Sequence, residues 1–240
     1  MTRRYLVTGG TSGIGRAVAQ YLTGQGDDVW ITGTRDATLE PALADGVAAG
    51  GGICDIGDTE SVATAFDAAR HGLGGLDGVF VNAGIDGAGE SAERLDPTEF
   101  RRVLDVNVVG SLRCAQAAYR VLDRPGAIVL NASVNAIRPE RHFADYNASK
   151  AATESLAKSL ALDWSTEDLC VTAVCPGYFP SRMTAPYLDD PETRAELLSA
   201  IPAGRFGEPR EIGATVAFLL SGAAPFLTGS VIAVAGAANV

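Results

Sequence analysis

Tyr146 and Lys150, in the run Tyr146-Asn147-Ala148-Ser149-Lys150, and Ser133 thirteen residues upstream are the side chains best equipped for chemistry in this chain. At helical spacing the tyrosine and lysine share a face about one turn apart. An ammonium held near a phenol favours the phenolate, because an opposite charge stabilises the ionised form. Bringing a tyrosine from ~10 to near neutral costs about 4 kcal/mol. A unit charge about 4 Å away supplies roughly that at an effective dielectric of ~20. Lys150 is therefore expected to lower the pKa of Tyr146, letting it trade a proton with an alcohol or carbonyl oxygen at neutral pH. An ordinary helix pair has the same spacing, so the assignment depends on what surrounds it.

Near the N-terminus, Arg4-Tyr5-Leu6-Val7-Thr8 reads as a short buried strand. It runs into Gly9-Gly10-Thr11-Ser12-Gly13-Ile14-Gly15, and Ala17, Val18, Tyr21 and Leu22 follow at helical spacing. Strand, glycine turn and helix are the context a dinucleotide fingerprint requires. Glycine lets the backbone approach a pyrophosphate, and the helix N-terminus offers free N–H groups and a positive dipole end. The spacing here is Gly-x-x-x-Gly-x-Gly, not Gly-x-Gly-x-x-Gly, and a tight strand-to-helix connection could use the same residues.

The elements that must position these groups alternate along the chain. Strand candidates are Tyr5–Thr8, Val29–Thr32, Gly52–Asp55, Gly78–Asn82, Ala127–Ala132, Val171–Cys175 and Val231–Val234. Helices read from about Ile14, Asp58, Asp96, Asp145 and Pro209, several opening on Asp or Pro as helix starts do. The strands are near-continuous apolar runs, as when both faces are covered. Alternating β and α segments predict an α/β Rossmann fold, a doubly wound parallel sheet of about seven strands flanked by helices, with residues 1–240 as a single domain. Ligands then bind beyond the carboxyl ends of the strands. Gly9, Asp55, Asn82, Ser133 and Pro176 all sit at or just past such ends.

Composition narrows the function classes. A chain of 240 residues with 47% hydrophobic content is a globular protein with a sizeable core. A net charge of −10 argues against nucleic acid or an anionic membrane surface as a partner. No apolar run reaches the ~18 residues that span a bilayer. The basic Met1-Thr2-Arg3-Arg4 is followed only by a strand-length apolar run and glycines, which is not a signal peptide pattern. Cys54, Cys114, Cys170 and Cys175 lack metal-type spacing, so no metal is expected, and they read as reduced core thiols of a cytoplasmic protein.

Taken together, Thr8-Gly9-x-x-x-Gly13-Ile14-Gly15, Asn82-Ala83-Gly84, Asn107, Ser133, Tyr146-x-x-x-Lys150 and Pro176-Gly177 appear in the order seen in short-chain dehydrogenases/reductases. The chain resembles the single-domain, ketoacyl-reductase-like branch of that family from Tyr5 to about Val234. The resemblance implies that Tyr146 is the proton donor and acceptor. It implies that Lys150 lowers the tyrosine's pKa and holds the nicotinamide ribose, and that Ser133 bonds the substrate oxygen. On the physics alone, a hydroxyl at a strand end could equally cap a turn. Asn107 lies inside the helix pattern Phe100–Val121, where asparagine is mildly unfavourable. It is either a solvent-facing polar residue or, as the resemblance implies, part of a kinked helix whose backbone carbonyl orders a water in a proton relay.

The resemblance also assigns cofactor contacts to Gly9, Thr11, Ser12, Gly13, Ile14 and Gly15, to Asp55 and Ile56 at the adenine, to Asn82, Ala83 and Gly84, to Tyr146 and Lys150, and to Pro176 and Gly177. An NAD enzyme usually ends its second strand on an acid that bonds the ribose 2′-hydroxyl. That position here is Gly33, followed by Thr34 and Arg35. The missing carboxylate and nearby guanidinium favour NADP, although Asp36 is close enough to serve NAD instead. Some NADP enzymes also carry a basic residue where this loop has Thr11-Ser12.

Substrate is expected between Val134–Phe143, the residues after Gly84, and a loop of about 177–206. Ser133, Asn135, His142, Tyr178, Phe179 and Met183 are the candidate contacts. The loop is apolar at Pro186 and Tyr187, then acidic at Asp189-Asp190. His142, Arg138 and Arg141 could meet an anionic substrate or belong to a solvated loop. Ala235-Gly236-Ala237 replaces the Asp-Gly-Gly of many relatives, which weakens a specific ketoacyl reductase reading. Small residues after Tyr146 (Ala148, Ala151, Ala152, Ser155 and Ser159) suit close helix packing in a homo-oligomer, a dimer or tetramer.

The implied function is NADP-dependent, reversible reduction of a ketone to a secondary alcohol with Tyr146 as acid/base. NAD-dependent oxidation of a secondary alcohol or cyclic dihydrodiol is the alternative, and a non-catalytic nucleotide sensor is one of another class. A serine hydrolase is disfavoured, since Ser133 sits in Asn-Ala-Ser-Val-Asn and not in a Gly-x-Ser-x-Gly elbow.

Overall fold

Tyr5, Leu6 and Val7 are all buried. Successive strand residues point to opposite faces, so both sides of the sheet must be covered. The computed structural model describes residues 2–180, 184–185 and 189–240. The strands are β1 (Arg4–Val7), β2 (Asp28–Gly33), β3 (Gly50–Ile53), β4 (Gly78–Val81), β5 (Gly126–Asn131), β6 (Leu169–Pro176) and β7 (Val231–Val234). They pair in the order β3-β2-β1-β4-β5-β6-β7, every pairing parallel. The order reverses between β1 and β4, which opens a crevice above their carboxyl ends.

The helices are α1 (Gly13–Gly24), α2 (Asp36–Ala44), α3 (Thr59–Leu73), α4 (Pro97–Leu104), α5 (Gly110–Val121), α6 (Ala144–Trp164), α7 (Pro191–Ser199) and α8 (Pro209–Leu220). Two cores result. Leu6, Ile128, Leu130 and Val171 pack with Phe66 of α3, Cys114 of α5 and Leu160 of α6. Tyr5, Val7, Phe80 and Val129 pack with Leu22 of α1, Leu39 of α2 and Val216 of α8. Where α1 crosses α8, a Cβ on Gly213 would stand 2.6 Å from Tyr21, so glycine sets that close approach.

Several boundaries differ from the sequence expectation. Strand β3 begins two residues earlier than expected, in three glycines, a composition that ordinarily weakens a strand. Trp30 explains it. A Cβ on Gly50 or Gly72 would come within 2.5 or 2.3 Å of its indole, so the missing side chains make room for a large one. The expected helix over Phe100–Val121 is α4 and α5 joined by a π turn at Asp105–Val109. Helix α6 starts at Ala144, with Phe143 as its cap and not Asp145. Helices α2 and α7 were not expected. Pro41 and weak amphipathicity hide the first, while the second buries none of its residues and is capped by Asp190, whose carboxylate accepts from the Thr193 N–H. Among the described residues, no helix is long and apolar enough to cross a membrane.

Candidate functional site

A cleft of about 450 Å³ runs over the carboxyl ends of β1, β2, β4, β5 and β6. Its first wall is backbone. Gly9 has φ +65°, which side chains rarely adopt, and a Cβ there would stand 3.0 Å from Ala83. Gly15 does not line the cleft; a Cβ on it would lie 2.4 Å from the Gly9 carbonyl, so it holds α1 against the turn. Thr8 and Asn82 lock this wall. The Thr8 hydroxyl accepts from the Asn82 and Ala83 N–H groups at 2.9 and 3.0 Å, and Asn82 Nδ2 donates to the Thr8 carbonyl at 2.9 Å. Thr11, Ser12, Gly13, Ile14, Asp55, Ile56, Asn82, Ala83, Gly84, Pro176 and Gly177 all line the cleft. This glycine cradle at a helix N-terminus fits a dinucleotide pyrophosphate.

At the end of β2, Gly33, Thr34, Arg35 and Thr38 line the same cleft. A Cβ on Gly33 would sit 2.7 Å from the Thr11 methyl, so no carboxylate-bearing side chain fits there unless Thr11 moves. Arg35 is exposed, and its guanidinium makes no ion pair among the described residues. Asp36 opens α2 and is not among the lining residues.

The second wall carries Ser133, Tyr146 and Lys150. Lys150 Nζ donates to the Asn131 carbonyl at 2.8 Å and lies 5.4 Å from the centre of the Tyr146 ring. Asn131 in turn donates from Nδ2 to Asn82 Oδ1 at 2.9 Å, so a bonded chain links the glycine turn to the lysine. The expected lowering of the Tyr146 pKa is reversed among the protein's own groups. Burial pushes the phenol well above its ordinary value, Asp86 and Glu140 push the same way, and only the Ser133 hydrogen bond opposes them. Burial also brings Lys150 down to about 8, weakening the cation that was to stabilise the phenolate. Cys54, on the lining, and Cys175, beside Lys150, are pushed up to about 11 by burial, so neither thiol is a ready nucleophile.

Asn107 is buried at 2% exposure, which removes the solvent-facing reading. Its side chain brackets Ile85, accepting from the N–H at 2.8 Å and donating to the carbonyl at 2.9 Å, and also donates to Ser149 at 3.0 Å. Its backbone carbonyl sits in the π turn and accepts from the Ser111 hydroxyl at 2.6 Å.

Of the substrate candidates, Ser133 and Phe179 line the cleft, while Asn135, His142 and Tyr178 do not. Asn135 lies behind Ser133, its N–H donating to Ser133 Oγ at 3.2 Å. Tyr178 turns its hydroxyl to Glu140. His142 is exposed at φ +66°. Met183, Pro186 and Tyr187 lie outside the described residues. Arg138 reaches the Ala238 carbonyl at 3.4 Å, and Arg141 is exposed. Residues that sequence reasoning missed are Thr38, Val106, Asn131 and Ala132 on the lining, and Asp145 beneath it, whereas Ile85, next after Gly84, and Thr184, in the 177–206 loop, fall in segments expected to enclose substrate. Asp145 is fully buried and accepts from the Ala88 and Tyr146 N–H groups, both at 2.8 Å, pinning the loop after β4 to the tyrosine's helix. Its only sequence signal was an Asp at a helix start.

This fold and cleft define a dinucleotide-binding oxidoreductase. Over residues 9–238 the chain matches a family model described as enoyl-(acyl carrier protein) reductase, and it belongs to the short-chain dehydrogenase/reductase family. It is 37% identical to 3beta-hydroxysteroid dehydrogenase 1 of Eggerthella lenta, covering 96% of this chain and 91% of that one. A tryptophan variant of actinorhodin polyketide ketoreductase, solved with NADPH, superposes with a TM-score of 0.91 at 27% identity, covering 99% and 97% of the two chains. A 3-ketoacyl-(acyl-carrier-protein) reductase from Brucella melitensis, complexed with NADH, gives 0.91 at 27% identity, covering 99% and 98%. The protein is thus an enzyme acting on CH–OH or C=O groups with a nicotinamide cofactor.

Proposed function

We propose that this enzyme reduces an uncharged ketone to a secondary alcohol, reversibly, with NADPH. The observation carrying the proposal is the meeting of Ser133, Tyr146 and Lys150 on one wall of a cleft whose other wall is a glycine cradle. The cofactor supplies or accepts the hydride and, when oxidised, brings a positive charge into the cleft. Ser133 and Tyr146 hydrogen-bond the substrate oxygen, and Tyr146 Oη gives it a proton in reduction or takes one in oxidation. Lys150, fixed by Asn131, holds the cofactor ribose and offsets part of the cost of a buried phenolate. Asn107 keeps Ile85 and the loop after β4 in place over the cleft.

Gly33 against Thr11 and Arg35, which makes no ion pair among the described residues, support a 2′-phosphate, and hence NADP. The acidic groups acting on Tyr146, with Arg141 and His142 exposed and off the lining, support an uncharged substrate. Residues of about 177–206 are taken as the substrate loop of one catalytic domain spanning 1–240. A homo-oligomer, dimer or tetramer, is supported by α6, where Ala148, Ala151, Ser155 and Ser159 form an exposed face of small residues. Four buried free cysteines support a cytoplasmic setting.

A second reading, NAD-dependent oxidation of a secondary or cyclic alcohol, draws on the name of the Eggerthella relative and the NADH of the Brucella complex. The test is cofactor consumption, NADPH against NADH, with a panel of neutral ketones, ring alcohols and a β-ketoacyl thioester. Ketone-dependent NADPH oxidation supports the proposal. Alcohol-dependent NAD reduction alone replaces it with the second reading.

A further inference from the structure

Behind the catalytic wall lies a layer of polar side chains that does not reach the cleft. Ser133 caps a short 3₁₀ turn, and its hydroxyl is 3.4 Å from Asn135 Oδ1. Asn135 is 6% exposed, and its Nδ2 donates to Asn147 Oδ1 at 3.0 Å and to Glu140 Oε2 at 3.3 Å. Asn147, the residue after Tyr146, donates back to the Glu140 carbonyl at 2.7 Å. The other carboxylate oxygen of Glu140 accepts the Tyr178 hydroxyl from the start of the substrate loop. One acidic residue therefore joins the serine turn, the helix carrying the tyrosine, and the start of the loop after β6.

The donor and acceptor pattern gives this junction a purpose. An ionised carboxylate only accepts, so it forces Asn135 to present Nδ2 to Glu140 and Oδ1 to Ser133. With the amide reversed, an N–H group would face the serine and an oxygen would face the carboxylate. We infer that Glu140 is a positioning residue: through Asn135, whose backbone N–H donates to Ser133 Oγ, it holds the serine oxygen in place with its proton left for the substrate oxygen, and through Tyr178 it anchors the start of the loop after β6 against the wall that carries Tyr146. This rests on the carbonyl-reductase reading of the cleft. Glu140 also acts at a distance. The groups facing Tyr146 are Asp86 from the loop after β4, Glu140 from the loop after β5, the Ser133 hydroxyl, and Lys150 from its own helix. Facing Glu140 are Asp86, Arg138, Asn135 and Tyr178, and burial pushes its own carboxyl above the usual range. Removing its charge takes away one of the two carboxylates that disfavour the phenolate.

The experiment compares wild type, Glu140→Gln and Tyr178→Phe as NADP-bound holoenzymes. Glu140→Gln is expected to lower kcat about 10- to 100-fold while the NADPH dissociation constant stays within about twofold. The rising limb of its pH profile for alcohol oxidation moves to lower pH. Tyr178→Phe raises KM and leaves that limb in place. Unchanged kcat with an unmoved limb in Glu140→Gln overturns the inference, as does a parallel loss of melting temperature, cofactor affinity and kcat, which marks a packing role alone. A readout free of turnover is the ultraviolet titration of Tyr146, isolated by difference against Tyr146→Phe. If no panel substrate reacts yet that titration moves down in Glu140→Gln, the carbonyl-reductase reading fails while the coupling of Glu140 to the site stands. An unmoved titration overturns the inference.

Discussion

The two walls of the cleft are built by different means. The wall formed by the turns after β1 and β4 recognises through backbone: Gly9 at positive φ, Gly15 against the Gly9 carbonyl, and the Thr8–Asn82 bonds that hold the turns together. The wall formed by the loop after β5 and the start of α6 works through side chains. Ser133, Tyr146 and Lys150 are each held by a hydrogen-bonded partner: Asn135 two residues on from the serine, Asp145 next to the tyrosine, and Asn131 nineteen residues before the lysine. A backbone wall suits a ligand whose shape is constant, since main-chain N–H groups cannot be exchanged by mutation. A side-chain wall can be retuned one residue at a time, which suits variable substrates.

That contrast predicts a graded set of effects. Tyr146→Phe removes the proton and should lower turnover about 1000-fold or more, with NADPH affinity unchanged by fluorescence titration. Retained turnover would take the tyrosine out of the chemistry. Arg35→Ala should weaken NADPH about 10- to 100-fold through loss of a charged hydrogen bond and leave NADH within about twofold. Equal effects on both would make Arg35 a surface charge. Gly15→Ala places a methyl 2.4 Å from a backbone oxygen. It should cost about 1–3 kcal/mol by urea denaturation and weaken both nucleotides alike. His142→Ala, exposed and off the lining, should change kcat/KM by no more than about twofold. A larger loss would mean that substrate extends beyond the cleft as drawn by its lining.

Legibility followed the same division. The glycine turn, the strand ends and the parallel sheet were readable because they depend on local φ preferences and on short-range apolar patterning. Trp30 against three glycines was not, because a glycine-rich strand becomes sensible only when the indole that fills its space is seen. Asn107 stood out as a poor helix former, yet its work as a bracket for Ile85 lies in bonds to another loop. Asn131, Glu140 and Asp145 carry no motif at all; burial and partners make them what they are.

The sequence by itself determined the family and the sheet and singled out Tyr146 as the candidate proton-transfer group, because spacing along a helix and glycine at a turn are properties of neighbouring residues. The ionisation of that group was decided by tertiary structure. Burial, Asp86 and Glu140 hold the phenol above its ordinary value, and desolvation exists only once distant segments have closed around it.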